Sequence, residues 1–151
     1  MPVPTAKQPN PTIINQNKEL PSAGENLTVH FLDIGQGDSI LLEHCDDAML
    51  IDSGEIDKAD YVATYIKNDG IMSLDYVIAT HPHSNHMGGI SVILDDFLIG
   101  HFVDSGYAYY SKTDENMLTT IDKKNIPFET PKRGDKINFT SGIDVQLLTE
   151  K

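Results

Sequence analysis

The sequence predicts an α/β (α+β) fold, a mixed β-sheet with helices packed on one face. Three features predict it. Short segments rich in β-branched and apolar residues, separated by glycine or aspartate, fill the stretch from Thr28 to Ile51. A helical stripe of Ile56, Ala59, Val62, Ala63 and Ile66 follows. The apolar run Tyr76-Val77-Ile78-Ala79 then opens directly into a loop carrying three histidines. Strands followed by strand-helix alternation build a sheet with a covered face.

Taken in order, residues 1–26 carry Pro2, Pro4, Pro9, Pro11 and Pro21 among Asn, Gln and Lys, without apolar periodicity. They read as a flexible or polyproline-like linker, leaving 27–151 as one domain. Thr28 to Ile34, Ser39 to His44 and Ala48 to Ile51 read as an antiparallel meander. Gly35 and Gly37 suit its first turn, where positive φ is needed. They do not make a dinucleotide site, because the third glycine and the following helix are missing. The helix over Ile56 to Ile66 stops at Asn68-Asp69-Gly70, and Leu74 to Thr80 reads as a buried strand. Gly89 to Asp96 is expected to be a short helix with its N-terminus towards the histidine loop. A strand over Gly100 to Asp104, a helix over Thr113 to Lys124 and a short strand over Ile126 to Phe128 come next. Lys136 to Phe139 and Ile143 to Leu148, joined by Thr140-Ser141-Gly142, read as a closing hairpin.

Composition narrows the partners. With 11 basic and 23 acidic residues the net charge is −12, which opposes surface-wide attraction to nucleic acid or anionic lipid. The cluster of Lys132 and Arg133, near Lys123, Lys124 and Lys136, reads as a solvated turn. Cys45 is the only cysteine, so no internal disulfide forms and the redox compartment stays open. No run approaches the ~20 apolar residues that cross a bilayer. A proline-rich linker ahead of a domain suits an extracytoplasmic or secreted location, with a signal or anchor expected upstream of Met1.

The loop Thr80-His81-Pro82-His83-Ser84-Asn85-His86-Met87-Gly88-Gly89 holds three of the six histidines. Imidazole is the commonest side-chain metal ligand. His81 and His83 converge on one ion if the loop leaves its strand extended, and His86 lies one short turn on. The bland alternative is a polar loop with solvated histidines.

This segment resembles the H-x-H-x-D-H signature of the metallo-β-lactamase superfamily, with His81, His83 and His86 matching and Asn85 standing where that family has aspartate. Upstream, His30-Phe31-Leu32-Asp33-Ile34-Gly35-Gln36-Gly37-Asp38-Ser39, followed by Leu50-Ile51-Asp52-Ser53-Gly54, resembles the hydrolase domain of bacterial competence proteins of the ComEC type. The resemblance implies an αββα sandwich of two similar halves, of which this chain covers roughly the first, with the second expected after Lys151. It implies metal ligands His81, His83, Asn85 and His86, and one or two divalent ions, zinc first with manganese or iron as alternatives. It implies hydrolysis of a phosphodiester such as DNA by activated water, while the acidic charge fits a small phosphorylated substrate better. Asn85, at the catalytic aspartate position, offers only a neutral amide oxygen and accepts no proton, so impaired hydrolysis is expected.

Asp52 has two readings, a carboxylate that orients a ligand histidine or a strand-end turn cap with Ser53 and Gly54. Asp33 and Asp38 read as turn residues, with a place facing the cleft as the alternative for Asp38, and His101 reads as structural. Against the hydrolase stands a second function, a non-catalytic binding or scaffold domain that kept the fold and lost an ion with Asn85. A single sheet covered by helices on one side leaves its other face open, so pairing with another copy through that face is expected.

Overall fold

The computed structural model describes residues 26–107 and 111–148. The linker expected over 1–26 lies outside them except for Asn26. Strands β1 (Thr28–Phe31), β2 (Ile40–His44) and β3 (Asp47–Ile51) form the expected antiparallel meander. From there the sheet turns parallel: β3, β4 (Ser73–Ala79), β5 (Leu98–Asp104) and β6 (Phe128–Glu129) run the same way, completing six strands in sequence order. Helices α1 (Ala59–Asn68), α2 (Ser84–Met87), α3 (Ile90–Asp96) and α4 (Lys112–Lys123) fill the crossovers. Parallel strands need such crossovers, and their helices cover a face of the sheet.

Apolar spacing decides which face is buried. In α1, Ala59, Val62, Ala63 and Ile66 are buried, the i, i+3, i+4, i+7 stripe of an amphipathic helix. They pack with Leu41, Leu50, Leu74, Val77 and Phe102 from the strands and with Ile90, Ile93, Met117 and Ile121 from the other helices. Ser111 caps α4 by accepting a hydrogen bond from the Asp114 amide at 3.1 Å. Lys124 at its other end donates to the Leu94 carbonyl, tying α4 to α3.

The outer face is where the structure corrects the sequence reading. A second, two-stranded sheet, β7 (Lys136–Thr140) paired antiparallel with β8 (Ile143–Gln146), lies over it. Ile137 and Phe139 alternate inward and pack on Leu42, Met49, Ile78 and Val103. The face is therefore not left open, because the apolar side of the hairpin packs on it as a separate sheet. His44 at the end of β2 shares a 3.1 Å hydrogen bond with the Thr140 hydroxyl. Val29 and Phe31 on the same face remain exposed at the β1 edge.

Replacing Phe139, 4% exposed, with alanine is expected to cost about 3–5 kcal/mol in urea denaturation. Phe31→Ala, at a residue 78% exposed, is expected to stay within about 0.5 kcal/mol of the parent. Equal costs would mean that the hairpin does not seal the face.

Candidate metal centre

The carboxyl ends of β3 and β4 lie side by side, with Ile51 in register with Ile78. Ligand sites in open α/β sheets gather at such ends. The chain leaving β3 enters the left-handed region at Asp52, φ 59°, a conformation disfavoured for a residue with a Cβ. That turn points the carboxylate, 2% exposed, at the neighbouring strand end. Its Oδ1 accepts the Thr80 amide at 2.8 Å, and its Oδ2 accepts the Thr80 hydroxyl at 2.5 Å. Oδ2 also lies 2.9 Å from His86 Nδ1. Burial pushes the Asp52 carboxyl above its ordinary range, and the Thr80 and His86 hydrogen bonds offset part of that.

The histidine loop leaves β4, and α2 forms its one short turn, so His86 does stand a turn beyond His83. His81 Nε2 and His83 Nδ1 face each other at 3.0 Å. The His81 and His86 rings are 5.4 Å apart, centroid to centroid. Lost hydration, followed by the neighbouring His83 and His86, holds His81 below the ordinary imidazole range, which favours the neutral ring that a metal requires. Two imidazole nitrogens at this spacing with a third ring beside them fit the donor chemistry of a borderline divalent ion.

The glycine turn between β1 and β2 closes over this loop. Gly37 has φ 110°, and a Cβ there would stand 1.9 Å from the Asn85 carbonyl oxygen. The Asp38 amide donates to that same oxygen at 3.3 Å. A backbone lattice holds the rest: Ser53 N to His86 O at 2.7 Å, Gly54 N to Asp38 O at 3.0 Å, and Gly89 N to Gly54 O at 3.0 Å. Asp38 itself is exposed, with Oδ2 3.5 Å from His86 Nδ1. Ligand atoms of Asp38, Asp52 and His86 lie within 4.8 Å of one another, a group able to hold a divalent ion.

The structure thus gathers His81, His83, Asn85, His86 and Asp52 at one edge. Asp33 remains a turn residue, its Oδ1 accepting the Gly35 amide at 3.4 Å. His101 stacks on Tyr76 at 5.0 Å, in β5 and β4. Sequence reasoning missed the Thr80 donors and Glu55, whose Oε1 accepts the Ser84 hydroxyl at 3.0 Å. It put turn chemistry first for Asp38, with a place facing the cleft as the alternative, and the structure sets Asp38 beside His86. The only signal for Asp38 was its place in the Gly-Gln-Gly-Asp turn. Glu55, His83, Ser84 and Asn85 line a cavity of about 480 Å³.

Fold and site together define an αβ sandwich with a metal-binding edge. A family model described as the metallo-beta-lactamase superfamily matches residues 32–150, and the chain belongs to that superfamily. No curated protein sequence matches it. Among solved structures, the metallo-beta-lactamase SMB-1 in complex with mercaptoacetic acid aligns with TM-score 0.56 and 19% identity, over 78% of this chain and 48% of that one. The chemotaxis sensor ODP, in a peroxy diiron state, aligns with TM-score 0.57 and 18% identity, over 78% of this chain and 47% of that one. A B3 metallo-beta-lactamase with an active-site glutamic acid gives 0.53 and 17%, over 74% of this chain and 45% of that one. At these identities the likeness shows the fold, and the chain spans less than half the length of each.

Thr80→Val removes one donor from a buried carboxylate without changing shape. It is expected to cost about 1–3 kcal/mol by chemical denaturation. Gly37→Ala should displace the histidine loop, seen as amide shifts over residues 81–86 that Gly35→Ala, with no atom within 4 Å of its added Cβ, does not produce.

Proposed function

We propose that this chain is the metal-binding part of a metal-dependent hydrolase, closest to the ComEC-type branch, acting on a phosphodiester or a small phosphorylated substrate. The observation that carries the reading is the facing of His81 Nε2 and His83 Nδ1 at 3.0 Å beside a His86 ring held by Asp52. A divalent ion bound there supplies water activation and Lewis-acid polarisation. Zinc suits these imidazoles best, with manganese or iron as alternatives.

The chain's own residues have separable tasks. Asp52, by accepting from His86 Nδ1, selects the tautomer that turns the Nε2 lone pair outward. His81 and His83 offer neutral donors that leave the ion's charge uncancelled. Asn85 offers an ion only a neutral, weaker amide oxygen and takes no proton. Asp38 is the exposed carboxylate nearest His86, on a chain whose net charge of −12 otherwise repels a polyanion. A small phosphorylated substrate fits that charge better than duplex DNA.

The second reading is a binding or scaffold domain, and Asn85 in the aspartate position is the observation that favours it. Within the same proposal, 27–151 is one domain behind a linker over 1–26, outside the cytoplasm. Among the described residues no helix is long and apolar enough to cross a membrane.

Elemental analysis of protein purified without chelator is expected to find about one or two ions per chain, lost in a His81→Ala, His83→Ala variant. No metal in the parent would sink the proposal. Asp52→Asn is expected to weaken metal binding about 10- to 100-fold by calorimetric titration. Asn85→Asp should raise turnover of a chromogenic phosphodiester by at least ~10². Tight metal binding without turnover in both forms would instead support the binding domain.

A further inference from the structure

We infer that His30, Glu43 and Asp69 form a second divalent-cation site, separate from the histidine loop. The three residues come from β1, β2 and the turn that ends α1. One ligand atom from each lies within 4.8 Å of the others. His30 Nε2 is 2.6 Å from Glu43 Oε1 and 4.0 Å from Asp69 Oδ2. Helix α1 begins against Gly89, which packs on Ala59, and ends at Asp69. About 15 Å of helix therefore separates the two ends.

His30 and Glu43 meet as a close ion pair, with the Glu43 carboxylate oxygen directly facing the buried Nε2. The opposite ring nitrogen, Nδ1, is engaged with the Tyr65 hydroxyl at 2.8 Å, which fixes the ring. With the proton on Nδ1, the Nε2 lone pair and the Glu43 and Asp69 oxygens become three donors, and a divalent ion bound among them takes the place of the proton that His30 and Glu43 otherwise share. Burial, followed by the neighbouring Asp69 charge, pushes the Glu43 carboxyl up, and the adjacent His30 offsets part of that.

The chemistry of the ligands narrows the ion. Two carboxylates balance the charge of one divalent cation. The imidazole favours zinc or manganese over calcium and magnesium, which prefer all-oxygen sites. Glu43 and Asp69, with Asp46 and Asp47, also line a cavity of about 350 Å³ that gives the ion an acidic way in. Bound there, it clamps the end of α1 to the edge of the sheet and leaves the remaining coordination positions to water.

The test uses the whole chain, Zn²⁺ as the probe and the histidine ring nitrogens as the readout, in long-range proton–nitrogen correlation spectra. In a His81→Ala, His83→Ala background, about one equivalent of Zn²⁺ is expected to shift the His30 Nε2 resonance. Glu43→Gln and Asp69→Asn should each weaken that shift by about tenfold or more. The same titration of the unaltered chain should show His30 responding as well as the loop histidines, which covers the case of a variant that does not fold. A His30 ring that responds to pH alone and ignores Zn²⁺ would overturn the site and leave an ordinary ion pair. So would a Zn²⁺ response that survives both carboxylate substitutions. Neither result touches the histidine loop, so the hydrolase proposal stands or falls separately.

Discussion

The Asp52 carboxylate is the constraint on which this edge of the molecule depends. A nearly fully buried carboxylate is costly unless its oxygens are occupied, and here both are. Thr80 supplies two donors from the first residue after β4, and His86 lies within hydrogen-bond reach from one helical turn further on. The strained φ of Asp52 is what aims the carboxylate at those groups. Remove that arrangement and the histidine loop loses its side-chain anchor to the end of β3, leaving the bond from the Ser53 amide to the His86 carbonyl.

The sheet makes that anchor possible. Antiparallel pairing brings β1, β2 and β3 together through short turns, while parallel pairing sets the ends of β3 and β4 side by side. The glycine turn then reaches over Asn85 because Gly37 has no Cβ to hold it away. Backbone bonds from Asp38, Ser53, Gly54 and Gly89 fasten these segments to one another. Main-chain bonds therefore hold the frame of the site, and the Asp52 carboxylate fixes the histidine loop within it.

Charge shapes what the site can attract. A chain with net charge −12 has no long-range pull on polyanions, so attraction has to come from a local positive centre. Neutral imidazoles allow such a centre, since they place an ion without neutralising it. The carboxylates that lie close by, Asp52 and Asp38, differ in setting: one buried and bonded, the other exposed. That difference separates a residue that positions the ring from one that meets solvent.

Much of the fold was legible in the sequence, because period-two and period-3.6 apolar patterns report burial directly. The meander, the stripe of α1, the buried strand β4 and the closing hairpin all carried that signal, and the histidine loop announced itself by spacing. What the sequence could not decide were contacts between distant segments. Thr80 carries no mark of a donor to Asp52, aspartate does not advertise a left-handed φ as glycine does, and Asp38 reads first as a turn residue. Pattern marked Lys136 to Phe139 as a hairpin strand but not what it faces, and only the packed structure set Ile137 and Phe139 over Leu42 and Met49. His30, Glu43 and Asp69 likewise meet only when strand pairing and helix docking are complete, since proximity in three dimensions is set by register and crossover rather than by local pattern.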